Sequence, residues 1–214
     1  MLPILLSAFL LGLLHSLEPD HIVAVSTIVA KCKNLTHSIL TGVFWGFGHA
    51  FTITLTAAAI FYAKIIVSET IFVSFEFLVG VMLVYLGYRL IKNTLSKKEN
   101  LVHNHTHSHD TLSAGEKEKP MTSLFVGSLH GLAGSGAIIA LLLSGFSSLN
   151  QSLASVLSFA LGNIVSMACV SLLLGLSLHY YRLGRFGYLE KYLRVIVGSS
   201  AIILGIYRMI KIVV

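Results

Sequence analysis

Charged side chains are scarce in this chain: they make up 11% of its 214 residues, against 55% that are hydrophobic. A soluble domain carries about 25% charged residues, so there is too little polar material here to clothe a water-facing surface. Cysteine is scarcer still. Cys32 and Cys169 stand alone, without a C-x-x-C pair or finger spacing, which excludes a disulfide scaffold and a thiolate zinc module. Only three prolines occur, so the apolar runs are seldom interrupted. Acidic residues number 9 against 15 basic ones, and the net charge of +6 falls almost wholly between the apolar runs. That placement is explained by topology and contact with lipid headgroups, and no nucleic-acid partner is expected. The start, Met1-Leu-Pro-Ile-Leu-Leu, has no basic n-region, and the run that follows carries Glu18, Asp20 and His21 where a leader would have a small-residue cleavage site. It reads as a first membrane helix rather than a cleaved leader.

What is present is a series of apolar segments near or above the ~20 residues that cross a hydrocarbon core as helix. Only helices and closed barrels satisfy every backbone group in lipid, so the expected class is all-α and polytopic. Six crossings are expected: about Leu2 to Ala30, Ser38 to Ala63, Ile71 to Ile91, Met121 to Gly145, Ser152 to His179 and Tyr192 to Val214. Pro19 interrupts the first of them, because it lacks an N–H and its ring clashes with the preceding turn. A polar stretch, Lys92 to Pro120, separates the third from the fourth. Lys and Arg divide twelve against three between the two sets of loops, with Lys64, Arg208 and Lys211 on the poorer face. The positive-inside rule then puts both termini outside and the long loop in the cytoplasm of a plasma-membrane protein.

The two halves echo each other. Gly12-Leu-Leu-His15-Ser-Leu overlies Gly127-Ser-Leu-His130-Gly-Leu at an offset of 115, Gly48-His49 overlies Gly162-Asn163 at 114, and Gly87-Tyr-Arg-Leu-Ile-Lys92 resembles Gly205-Ile-Tyr-Arg-Met-Ile-Lys211 with one residue inserted. Three helices per repeat force the second half to enter from the opposite side, a 3+3 inverted repeat. The division is 1–94, a loop 95–120 without fixed structure, and 121–214.

The chemistry is concentrated in Gly12-Leu-Leu-His15-Ser-Leu-Glu18-Pro19-Asp20-His21. A charged group costs about 2.5–3.5 kcal/mol at the centre of a bilayer, so ionisable residues in one membrane segment call for a function. On a continuous helix His15, Glu18 and His21 share one face, and a break at Pro19 lets Asp20 turn toward the same point. Imidazole with carboxylate, and no thiolate, suits a divalent first-row metal ion. The competing reading is a hydrogen-bonded network that only fixes helix packing. His49, in Trp45-Gly-Phe-Gly48-His49, is the natural further ligand, since the glycines let backbones approach closely. His130 and Asn163, the counterparts of His15 and His49, lie in a second half that has no carboxylates at the matching positions, and they are candidate contributors to the pathway. In the long loop His103, His105, His107 and His109 alternate, so an extended chain puts all four on one side, as a loose trap for Ni, Zn, Cu or Co.

His15-Ser-Leu-Glu-Pro-Asp20-His21 is similar to the H-x4-D-H signature of the nickel/cobalt transporter superfamily, and within it to the urease-accessory UreH-like and NicO-like members. Phe47-Gly48-His49 resembles the second motif of that family. The resemblance implies a carrier of Ni²⁺ or Co²⁺, with metal selection carried onto His15, Asp20, His21 and His49, no catalytic cofactor, and a metallochaperone or metalloenzyme-maturation partner. The chain departs from the main permeases in having six crossings where they have eight, and in Leu161-Gly162-Asn163, which lacks the acidic residues of a later motif. A histidine-rich cytoplasmic loop also occurs in efflux members, which leaves uptake and efflux both open.

Other classes fit less well. An intramembrane serine hydrolase could be built on Ala133-Gly134-Ser135-Gly136, but the last helix holds no histidine to act as its base. A metalloprotease would want H-E-x-x-H, and a thiol-redox carrier would want a reactive cysteine pair. Glu18 and Asp20 argue against a small anion. A transporter is expected, not an enzyme.

Overall fold

Leucine-rich sequence with a proline in its first turn is a natural helix start, because straight side chains lose little freedom there and the missing N–H is one that no helix uses. The first helix, α1 (Leu2–His15), begins this way. The computed structural model describes residues 1–32, 34–63, 68–96, 120–133, 149–183 and 187–213, and among these there is helix and turn but no strand. After α1 come α2 (Pro19–Val29), α3 (Leu35–Ala63), α4 (Glu69–Ser96), α5 (Pro120–Leu132), α6 (Leu149–Leu183) and α7 (Gly187–Val213).

The helices run longer than hydropathy alone suggests: α4 takes in Lys92, and α7 starts before Tyr192. The helix expected to break at Pro19 does so. The chain leaves helical geometry at residues 16–18 in an unwound turn, and Pro19 is the first residue of α2. A residue before proline is driven out of the α region, and Glu18, with φ −58° and ψ 142°, is held in that extended conformation. Proline's own fixed φ then suits the first helical position. The two pieces meet at a 60° bend.

Among the described residues four helices are long and apolar enough to cross a membrane: α3, α4, α6 and α7. The bent α1–α2 pair passes the same test taken together. The chain is therefore a multi-pass membrane protein. Ala8, Gly12 and His15 form the buried stripe of α1, while Leu6, Leu10 and Leu14 are exposed on its opposite side. Phe47, Phe51, Leu161 and Ile203 are likewise exposed, a distribution that suits hydrocarbon and not water.

Small residues set the helix spacing. A Cβ on Gly12 would fall on the carbonyl oxygen of Phe159, and one on Gly127 would fall on that of Trp45. Gly48 meets the Leu124 carbonyl in the same way, and Gly162 that of Phe9. These four contacts join α1 to α6 and α3 to α5. A second set ties α4 to α7: Gly80 and Gly205 each approach the other's carbonyl, as do Gly87 and Gly198. Serine hydroxyls add hydrogen bonds across the first seam, Ser158 donating to the Leu5 carbonyl at 2.7 Å and Ser166 to that of Leu13 at 3.0 Å.

Two packed groups result. The helices α1, α3, α5 and α6 form one, α4 and α7 the other, and α2 lies between them and touches members of both. Every residue of α2 from Ala24 to Val29 is buried. Val25, Ile28 and Val29 pack with Trp45, Leu86, Val126 and Met167, whereas Ala24 packs with Val79, Leu83 and Ala133. The short helix bearing the ionisable residues is thus the innermost element.

Candidate metal centre

The break between α1 and α2 turns the histidines toward one another. His15 is the last residue of α1, and His21 lies in the first turn of α2. Their rings are 4.6 Å apart at 74°. His49, in the middle of α3, completes a triangle, 5.4 Å from His15 and 5.2 Å from His21. Each of the three offers one ligand atom, and these atoms lie within 4.8 Å of one another. Zinc–nitrogen bonds are near 2.1 Å and other first-row ions are comparable, so small ring rotations would bring three imidazoles onto one ion. All three residues are buried.

A second group adjoins the first. Asp20, His21 and His130 also place ligand atoms within 4.8 Å of one another, and all three are buried. His21 is common to both groups. His130 comes from near the end of α5, and its ring lies 4.9 Å from that of His21. The second half of the chain therefore contributes directly beside the H-x4-D-H residues.

Carboxylates orient the imidazoles. Nδ1 of His15 donates to Oε1 of Glu18 at 2.7 Å, and Nδ1 of His21 donates to Oδ1 of Asp20 at 3.1 Å. Fixing the proton on Nδ1 leaves the Nε2 lone pair available in each ring, the arrangement commonly found behind metal-bound histidines. Nε2 of His21 and both ring nitrogens of His49 are buried without a hydrogen-bond partner. Unmatched buried polar atoms each cost about 1–3 kcal/mol, and three in one cluster fit a place built for a ligand. On the far side Trp45 stacks against His49, centroids 5.1 Å apart and planes 12° from parallel.

The residues singled out by sequence divide as follows. His15, His21 and His49 converge, as do Asp20, His21 and His130. Glu18 falls in neither group: it is 47% exposed and is turned to His15. Asn163 is fully buried, with both side-chain amide atoms lacking a partner, and sits at the crossing of α6 with α1, where Ser16 Oγ donates to its main-chain carbonyl oxygen at 3.4 Å. His103, His105, His107 and His109, together with Ser135, lie outside the described residues. Neither Cys32 nor Cys169 belongs to either group.

Arg208 is not a loop cation, as the charge count along the sequence has it: it directs its guanidinium inward from α7, with Nη2 2.8 Å from Oδ2 of Asp20. It therefore drops out of the count of loop charges. The signal was available, since an arginine inside the apolar span Leu189–Ile212 calls for an acidic partner.

The fold and the site together define a multi-pass membrane protein with two buried, adjoining groups of histidine and aspartate side chains that could hold a metal ion. The chain is 40% identical over 180 residues to a urease accessory protein, UreH, of Bacillus sp. (strain TB-90), an alignment covering 82% of this chain and 78% of that protein. No family model matches the chain, and no solved structure does either. The chain belongs to the UreH-like urease-accessory membrane proteins of the nickel/cobalt transporter superfamily.

Proposed function

We propose that the protein is a secondary carrier, not an enzyme, that moves a divalent transition metal ion, Ni²⁺ or Co²⁺, across the cell membrane. The observation that carries this reading is the meeting of His15, His21 and His49 in one buried cluster that shares His21 with Asp20 and His130. The ion sheds water onto the three imidazoles and passes by way of His21 to the group containing Asp20 and His130. Glu18 and Asp20 orient His15 and His21, and Asn163 lines the path at the crossing of α1 and α6. The Bacillus relative is by name a urease accessory protein. We carry that accessory role here, with delivery to a metallochaperone or maturation partner in the cytoplasm.

The scaffold is read as a 3+3 inverted repeat of residues 1–94 and 121–214. The glycine contacts support it, because an offset of 114 or 115 converts Gly12 on Phe159 into Gly127 on Trp45, and Gly48 on Leu124 into Gly162 on Phe9. The same symmetry pairs α4 with α7. Alternating exposure of the site then comes from movement of the α4–α7 pair against the other helices, about α2. Both termini are outside in this reading, and His103, His105, His107 and His109, in the cytoplasmic stretch between α4 and α5, hold ions near the inner mouth.

The test uses the full chain with these four loop histidines changed to Asn. Ni²⁺ binds the purified variant stoichiometrically, and cells carrying it accumulate Ni²⁺, whereas His21→Ala or Asp20→Ala brings accumulation to background. Undiminished accumulation in both substitutions would remove the membrane site from consideration.

A further inference from the structure

Three nitrogen groups surround the carboxylate of Asp20, and one of them is a permanent cation. Nδ1 of His21 is 3.1 Å from Oδ1, Nε2 of His130 is 3.4 Å from Oδ2, and Nη2 of Arg208 is 2.8 Å from that same Oδ2. A guanidinium does not lose its proton in proteins. An intramembrane carboxylate needs such a partner. Yet Asp20 also belongs to the Asp20–His21–His130 group, and a divalent ion held there would stand within a few ångströms of the guanidinium. Like charges that close, shielded from water, repel strongly.

We propose that Arg208 is a built-in competitor for the transported ion: it holds Asp20 between transport events and is displaced when a divalent cation reaches the Asp20–His21–His130 group. This inference rests on the carrier reading given above. The guanidinium has somewhere to go, since the Arg208 side chain keeps 27% of its exposure while Asp20 keeps 5%, and an arginine stem can lie along apolar surface as its head moves outward. The His15–His21–His49 group does not use Asp20, so an ion can settle there with Arg208 still in place. Transfer past His21 is the step that requires release.

Release has a structural consequence. Arg208 is carried by α7, which is locked along α4 by the glycine–carbonyl contacts at Gly80, Gly87, Gly198 and Gly205, while Asp20 is on α2. The ion pair therefore fastens the α4–α7 pair to the innermost helix, and breaking it frees that pair to shift. Occupancy of the site and position of the pair become linked because one carboxylate cannot serve both cations.

The experiment is a Ni²⁺ titration of the purified full chain, with His103, His105, His107 and His109 changed to Asn, as such and with Arg208→Gln added. The arginine-deficient protein should bind Ni²⁺ about tenfold more tightly or better, because the competing charge is gone. Equal or weaker binding overturns the proposal and makes the pair a structural tie. If the parent protein itself binds no Ni²⁺, the carrier reading fails, and this inference falls with it. A second measurement needs no substitution at Arg208: phenylglyoxal labels exposed guanidinium groups, and mass spectrometry compares Arg208 with Arg194, which is paired to Glu190. Added Ni²⁺ should speed labelling of Arg208 relative to Arg194. Unchanged or slower labelling overturns the proposal even if Arg208→Gln does not fold.

Discussion

Trp45 lies almost flat on His49, one helical turn away on α3, with the planes 12° from parallel. The indole is fully buried, and its ring also meets His21 at 4.9 Å and His130 at 5.5 Å. One aromatic side chain thus restrains imidazoles from both ligand groups. Trp45→Ala should cost about 3–5 kcal/mol of stability through the cavity it leaves, and should weaken Ni²⁺ binding by freeing His49. Trp45→Phe keeps a stacking face and should retain most of both. Thermal unfolding in detergent and Ni²⁺ titration read the two effects separately; equal binding by parent and alanine variant would show that the stack does not restrain His49.

Glu18 is half-exposed and bonded to His15, so its expected role is to hold a tautomer. Glu18→Gln should lower Ni²⁺ affinity by about tenfold or somewhat more, the usual range for losing an orienting partner of a metal-bound histidine. A direct ligand would lose far more, so titration calorimetry of this variant separates the two roles.

Binding should weaken in acid. Imidazole titrates near 6.5 when unperturbed, and only its neutral form ligates, so protons compete with the metal. Affinity should be greater at neutral pH than in acid. Tighter binding in acid than at neutral pH, measured with the loop histidines replaced, would mean that imidazoles are not the ligands.

The glycine seams should tolerate no methyl group. On Gly12 and on Gly127 the atom met by an added Cβ is a backbone oxygen, which cannot turn aside as a flexible side chain would. Gly12→Ala and Gly127→Ala should each cost on the order of 1–3 kcal/mol and reduce the monodisperse fraction in gel filtration. Loss in one and none in the other would break the equivalence of the two seams.

Much of this was legible in the order of residues. The apolar segments exclude a soluble fold because backbone groups in lipid must bond within their own helix. The H-x4-D-H run stands out because ionisable groups are costly there, and Gly12-x-x-His15 reappearing as Gly127-x-x-His130 pointed to His130. Asp20 was expected at one shared site, and it lies instead in a neighbouring group joined through His21. A helical projection could not anticipate this, since the 60° bend after His15 changes the direction of every later side chain.

Sequence by itself determined the class of the protein, the place of the helix break and the kinds of donor atom at the candidate site, because each follows from local chemistry: transfer into lipid, the geometry around proline, the donor atoms of histidine and aspartate. Tertiary structure decided which of those groups meet. Glu18 turns aside to His15, His130 arrives from the other half, Trp45 covers His49, and Arg208 reaches Asp20 across 188 positions of chain. Such meetings depend on how closely helix backbones approach at Gly12, Gly48, Gly127 and Gly162, and that is a property of packed pairs which no single segment carries.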